Sequence, residues 1–115
     1  MIVAALDDLM FVSRVRTTAS AVGVSVKVVR SVADGLEQAR QLKPARLLVD
    51  LNGRAFDPLA LIEAVKADPA LAATRIVAFV SHVQADTIAA ARGAGADEVI
   101  ARSAFVKRLE ELVRD

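Results

Sequence analysis

The chain has 115 residues, enough for one hydrophobic core but not for a catalytic domain with a second domain beside it, so a single domain spanning 1–115 is expected. Fifteen Lys and Arg against fourteen Asp and Glu leave a formal charge of +1, with no basic stripe to suit nucleic acid or a membrane surface. The absence of cysteine excludes disulfides, thiolate metal sites and cysteine nucleophiles.

The first apolar run, Ile2–Leu6, reads as a buried strand and stops at two adjacent carboxylates, Asp7 and Asp8. Phe11, Val15, Ala19 and Val22 then recur at helical spacing, and Gly23 closes that helix. Val24–Val29 predicts a second strand. Val32, Leu36, Ala39 and Leu42 predict a second helix, stopped by Pro44. Arg46–Val49 predicts a third strand, ending in Asp50. Asp57-Pro58 predicts an N-cap followed by proline at the first helical position, opening a helix through Leu59, Ile62 and Val65 that ends at Asp68-Pro69. Arg75–Val80 is the fourth strand. An Ala-rich helix, Ala85 to Arg92, follows and closes at Gly93 or Gly95. Glu98–Ala101 is the fifth strand, and Phe105, Leu109 and Leu112 mark a last helix that Ser103 is expected to cap.

Strand and helix thus alternate five times. Crossovers of this length join parallel strands and lay helices on both faces of one sheet, a doubly wound three-layer α/β sandwich. Ligands of such folds sit beyond the carboxyl ends of the strands. Asp7 and Asp8, Asp50, Ser81 and Arg102 all stand at that edge, on four different strands. Three carboxylates on adjacent loops call for a counter-charge. Mg²⁺ suits them, with Asp8 and Asp50 as direct ligands, Asp7 holding a coordinated water and the backbone carbonyl of Asn52 adding an oxygen. A carboxylate beside such an ion can attack phosphorus, and the Ser81 hydroxyl and the Arg102 guanidinium are the donors a transferred phosphoryl group needs. Taken singly, Asp7-Asp8 is most often a helix N-cap signal, Asp50 is often a turn residue, and Arg102 suits a surface ion pair. His82, the only histidine, is expected in a loop, because side chains of adjacent residues on an extended segment point apart and a Ser-His-Asp hydrolase is not built that way. "GAGAD" follows a helix and precedes a strand, the reverse of a dinucleotide or P-loop fingerprint.

Together "IVAALDD", "LLVDLN", "FVS" and "GADEVIAR" resemble the receiver domain of bacterial response regulators over essentially the whole chain. The resemblance implies a flavodoxin-like sheet of order 2-1-3-4-5. It also implies a signalling switch in a two-component phosphorelay, not an enzyme in its own right. Asp50 is then the phosphoacceptor, served by a histidine kinase or phosphotransfer protein. Asp7, Asp8, Asp50 and the Asn52 carbonyl hold Mg²⁺, and Ser81 and Arg102 contact the phosphoryl group. An output protein or a second copy would dock on the face of helix four, strand five and helix five, including Ile88 and Ala91. No attached output domain is expected, and neither nucleic acid nor membrane is an expected partner.

The pattern also departs from that family. Arg102 stands where the family has Lys, and a planar fork does not replace a compact ammonium without consequence. Ser103 replaces the usual Pro. "LNGRAFDP" follows Asp50 with unusual spacing, and Arg54 is placed to lean over the acids. Val99 replaces an aromatic rotor. These departures leave a second possibility open, a pseudo-receiver that binds partners without phosphorylation. No apolar run reaches membrane-span length and no basic region precedes the first one, so a cytoplasmic location is expected.

Overall fold

The structure, a computed structural model, describes residues 1–81 and 84–114. His82 lies outside the described residues. Five strands, β1 (Ile2–Ala5), β2 (Val26–Val29), β3 (Arg46–Asp50), β4 (Arg75–Val80) and β5 (Glu98–Ala101), form one parallel sheet of order 2-1-3-4-5. The helices are α1 (Leu9–Ala21), α2 (Val32–Leu42), α3 (Pro58–Ala67), α4 (Ala85–Ala94), α5 (Arg102–Lys107) and α6 (Leu109–Val113), with a 3₁₀ turn at Pro69–Leu71.

Burial follows the sheet topology. Every residue of β1 is buried, because the strand lies between β2 and β3 and is covered on both faces. β2 is an edge strand and alternates, with Lys27 exposed. Of the two residues expected before it, Ser25 only lends its carbonyl to the Ile2 amide (3.1 Å) and Val24 makes no bond to β1. The Val24 amide donates to the Ala19 carbonyl at the end of α1 (2.9 Å), which holds the chain to the helix until Val26 pairs with Ile2.

The alternation of strand side chains divides the core in two. Ile2, Ala4, Leu48, Val77 and Phe79 face α1, α5 and α6, where Phe11, Val15, Phe105 and Leu112 close over them. Val3, Ala5, Leu47, Val49 and Ile76 face α2, α3 and α4 and meet Ala39, Leu61, Ile62 and Ala91. Each large side chain buried this way contributes about 1.5–3 kcal/mol. Ala91 is fully buried, so it is a core residue and not part of a docking face. Ile88 is half-buried, and Ala85, Ala89 and Ala90 are the exposed alanines of α4.

The helix punctuation largely follows expectation. Asp57 caps α3 by accepting from the Ala60 amide, with Pro58 at the first position. Gly95, not Gly93, supplies the left-handed residue after α4, at φ 118°. At the last helix the outcome differs in two ways. Ser103 lies inside the first turn of α5, whose N-cap is Ala101, so it does not cap the helix. The helix is also broken once, at Arg108, whose guanidinium reaches Glu98 at 2.8 Å and Glu111 at 3.0 Å. No described helix is long and apolar enough to cross a membrane.

Strand order reverses at β1, with β2 on one side and β3 on the other. The crevice of a doubly wound sheet opens at such a point, beyond the carboxyl ends of these two strands. Asp7 and Asp8 follow β1, and Asp50 ends β3.

Candidate functional site at the carboxyl edge of the sheet

Each of the three carboxylates is fixed by a different local device. Asp8 is the N-cap of α1: its Oδ1 accepts from the amides of Met10 (3.0 Å) and Phe11 (3.2 Å), two of the donors a helix start leaves unpaired. Asp7 reaches across to the loop after β3, where its Oδ2 accepts from the Arg54 and Ala55 amides at 2.8 and 2.6 Å. It is therefore the backbone at Arg54 that engages the acidic edge. Asp50 accepts from the Asn52 amide at 2.9 Å, and its carbonyl accepts from Gly53 at 3.1 Å, which closes a tight turn. A Cβ at Gly53 would lie 2.6 Å from the Phe56 ring and 3.2 Å from the Asp50 carbonyl, so a side chain there would displace the ring.

Ser81 and Arg102 complete the edge. The Ser81 amide donates to Asn52 Oδ1 at 2.7 Å, which ties the end of β4 to the turn after β3. Arg102, the first residue of α5, places Nη2 3.1 Å from Asp8 Oδ2. Its guanidinium carbon lies 4.4 Å from the centre of the Phe11 ring. That ring is stacked on Phe79 at 5.3 Å, and Phe79 on Phe105 at 4.0 Å, so Arg102 rests on a rigid aromatic column. Asp8, Met10, Phe11, Arg14, Ser81 and Arg102 line an open cleft of about 540 Å³.

Electrostatics separate the acids. The Phe11 amide, followed by Arg102, holds the Asp8 carboxyl below its ordinary value. Burial pushes Asp50 above its ordinary value. The Asn52 amide and the Arg102 charge pull the other way, and the charges of Asp7 and Asp8 add to the rise. Asp50 is 6% exposed, one of the few polar residues in the core. A carboxylate raised in this way is more basic and less shielded by water than an exposed one, which suits a nucleophile.

The residues expected to act together do stand at one edge, and the charges of Asp7, Asp8 and Arg102 all act on Asp50. As donors, three carboxylates and a backbone carbonyl fit a hard cation. They are not gathered around one point. Among the described residues no group of three or more His, Cys, Asp or Glu side chains is set to hold a metal ion. Asp8 Oδ2 faces a guanidinium instead. Sequence reasoning missed two contributors, the Phe11 ring under Arg102 and the Asn52 side chain on Ser81. Phe11 stands three residues after the Asp8 cap, on the helix face that turns inward, and that spacing was the available signal.

Comparison with family models finds no match, and comparison with curated proteins finds none. Solved structures match closely in fold. The phosphorylated cyanobacterial phytochrome response regulator RcpA superposes with a TM-score of 0.77 at 20% identity, covering 97% of this chain and 86% of that one. The receiver domain of NtrX from Brucella abortus gives 0.76 at 23% identity, covering 95% and 91%. The receiver domain of a sensor histidine kinase from Pseudomonas aeruginosa, with a magnesium ion coordinated in its active-site cleft, gives 0.80 at 14% identity, covering 97% and 95%. The chain therefore has the fold of response-regulator receiver domains, a five-stranded flavodoxin-like sandwich.

Proposed function

We propose that this chain is a receiver module of two-component signalling and that Asp50 accepts a phosphoryl group. The observation that carries the proposal is a buried aspartate at the strand-order reversal, with Asp7, Asp8, Ser81 and Arg102 on the flanking strand ends. In the step, an Asp50 oxygen attacks the phosphorus of a phosphohistidine on a histidine kinase or phosphotransfer protein. The P–O bond forms as the N–P bond breaks, and the departing imidazole takes its proton from solvent. Asp50 must be ionised to attack, and burial, which pushes its carboxyl above the ordinary value, makes its lone pair more basic than that of Asp8. Asp7, Asp8, Asp50 and the Asn52 carbonyl would hold Mg²⁺, as the magnesium-bearing neighbour suggests. When bound, the ion supplies positive charge against the carboxylates and the transferred group. The Ser81 hydroxyl and the Arg102 guanidinium would donate to the phosphoryl oxygens.

The product is a signalling state, not a released molecule, so the module acts through contact and is not an enzyme with turnover of its own. The face of α4, β5 and α5 is the proposed docking surface for an output protein or a second copy. A cytoplasmic location goes with this role. The Asp8–Arg102 ion pair favours a second reading, a pseudo-receiver in which that pair stands permanently where the ion would be and partners bind without phosphorylation.

Intact mass after incubation with Mg²⁺ and a small phosphodonor separates the two. The first reading expects one added phosphoryl group on the wild type and none on Asp50→Asn, with the label removed by hydroxylamine. An unlabelled wild type supports the pseudo-receiver, and label persisting in Asp50→Asn moves the acceptor elsewhere.

A further inference from the structure

We propose that Arg102 is a tethered cation competing with the divalent ion for Asp8, so that the acidic edge takes a metal only as Arg102 leaves that carboxylate. The inference rests on the reading of this edge as a metal site.

Asp8 has two oxygens and both are engaged. Oδ1 caps α1 through two amides, so turning it away would unfasten the helix start. The oxygen available to an ion is Oδ2, and the Arg102 Nη2 is 3.1 Å from it. A guanidinium and a divalent cation on the same oxygen repel one another, and arginine cannot relieve this by losing its proton. Nor is Arg102 a loosely held surface charge. Its backbone opens α5 directly after β5, and its fork lies over Phe11, whose ring is fixed by Phe79 and Phe105. The Arg102 side chain is 33% exposed and that of Asp8 44%, so the pair sits at the mouth of the edge, where an ion would enter. The same guanidinium also acts on Asp50. Its charge thus pairs with Asp8 and also bears on Asp50, without offsetting the burial of the latter. A lysine would carry the charge on a compact ammonium, without the planar fork.

The test is titration of the purified chain with Mg²⁺ by calorimetry, repeated with Mn²⁺ and read by NMR line broadening. Arg102→Ala is expected to bind about ten-fold more tightly than wild type, within the usual range of coupling between two ligands of one site. Arg102→Lys should fall between the two, and it decides the matter should the alanine variant fail to fold. Arg14→Ala removes a charge from the same cleft without touching the Asp8 pair and should raise affinity by much less than Arg102→Ala. In wild type, the metal titration should shift the Arg102 Nε resonance. Equal or weaker binding by both Arg102 variants overturns the proposal and leaves the metal site standing. So does a gain in Arg14→Ala as large as that in Arg102→Ala, since net charge would then explain it. No binding by any variant overturns the metal site and this proposal together.

Discussion

Asp97, just before β5, accepts from the Ile76 amide at 2.7 Å and from Lys66 Nζ at 3.1 Å. Asp50, at the far end of β3, accepts from the Asn52 amide. Both are aspartates beside a parallel strand and both are partly withdrawn from water. Burial pushes the Asp97 carboxyl up, but the Ile76 amide and Lys66 outweigh it and its pKa falls. For Asp50 burial wins and the pKa rises. The rest of the amino end behaves like Asp97. Arg108 holds the neighbouring Glu98 below its ordinary value, and Arg40 does the same for Asp68. At this end charge is matched and the acids serve the fold. At the carboxyl end an unmatched acid is kept in the core, at a cost to stability that local structure does not require.

Breaking the amino end should have the largest effect on folding. Asp97→Ala leaves the Ile76 amide without its acceptor and Lys66 without its partner, and should lower stability by about 1–3 kcal/mol in urea unfolding. Phosphoryl labelling of the folded variant should be retained, because the carboxyl end is untouched. The opposite sign is expected at Asp50. Asp50→Asn removes a desolvated charge while keeping shape, and should raise stability by about 1 kcal/mol at neutral pH.

The pH dependence sharpens this contrast. The folded pKa of Asp50 is raised, so its contribution is fully favourable below its unfolded value and is lost as pH rises through the folded one. The advantage of Asp50→Asn should therefore shrink as the solution is acidified from neutral, when Asp50 takes up a proton. Asp97 is depressed, so its contribution is present above its unfolded value and lost as pH falls through the folded one. Asp97→Ala should therefore approach wild-type stability only in stronger acid. The smallest effect on folding is expected for Ser81→Ala, within about 0.5 kcal/mol, because the backbone amide makes the bond to Asn52. Its labelling should slow while Asp50→Asn takes no label. A Ser81→Ala variant labelled at the wild-type rate would remove the hydroxyl from the proposed site.

Much of this architecture was legible in the residues because burial in a parallel sheet leaves plain marks. Continuous Val, Ile and Leu runs placed all five strands to within two residues, and the two Asp-Pro pairs marked both ends of α3. Strand ends then placed Asp7, Asp8, Asp50, Ser81 and Arg102 on one edge. What those side chains touch was not legible. The Asp8–Arg102 pair spans 94 positions and depends on how far a guanidinium reaches across the aromatic column. The break at Arg108 was hidden because Phe105, Leu109 and Leu112 keep helical spacing across it. Ala91 was ambiguous for another reason: an alanine on a helix suits a close-packed core and a docking face equally, and only the position of α3 and the sheet decides.

The fold leaves the Asp50 carboxylate at the carboxyl edge poorly satisfied while it satisfies its counterpart Asp97 at the amino edge. Carbon-detected NMR titration of the side-chain carboxyls measures both groups in one sample. The Asp50 midpoint is expected above the ordinary aspartate value of about 3.9 and the Asp97 midpoint below it. An Asp50 that titrates at or below the ordinary value would contradict this, since its charge would then be as well satisfied as that of Asp97.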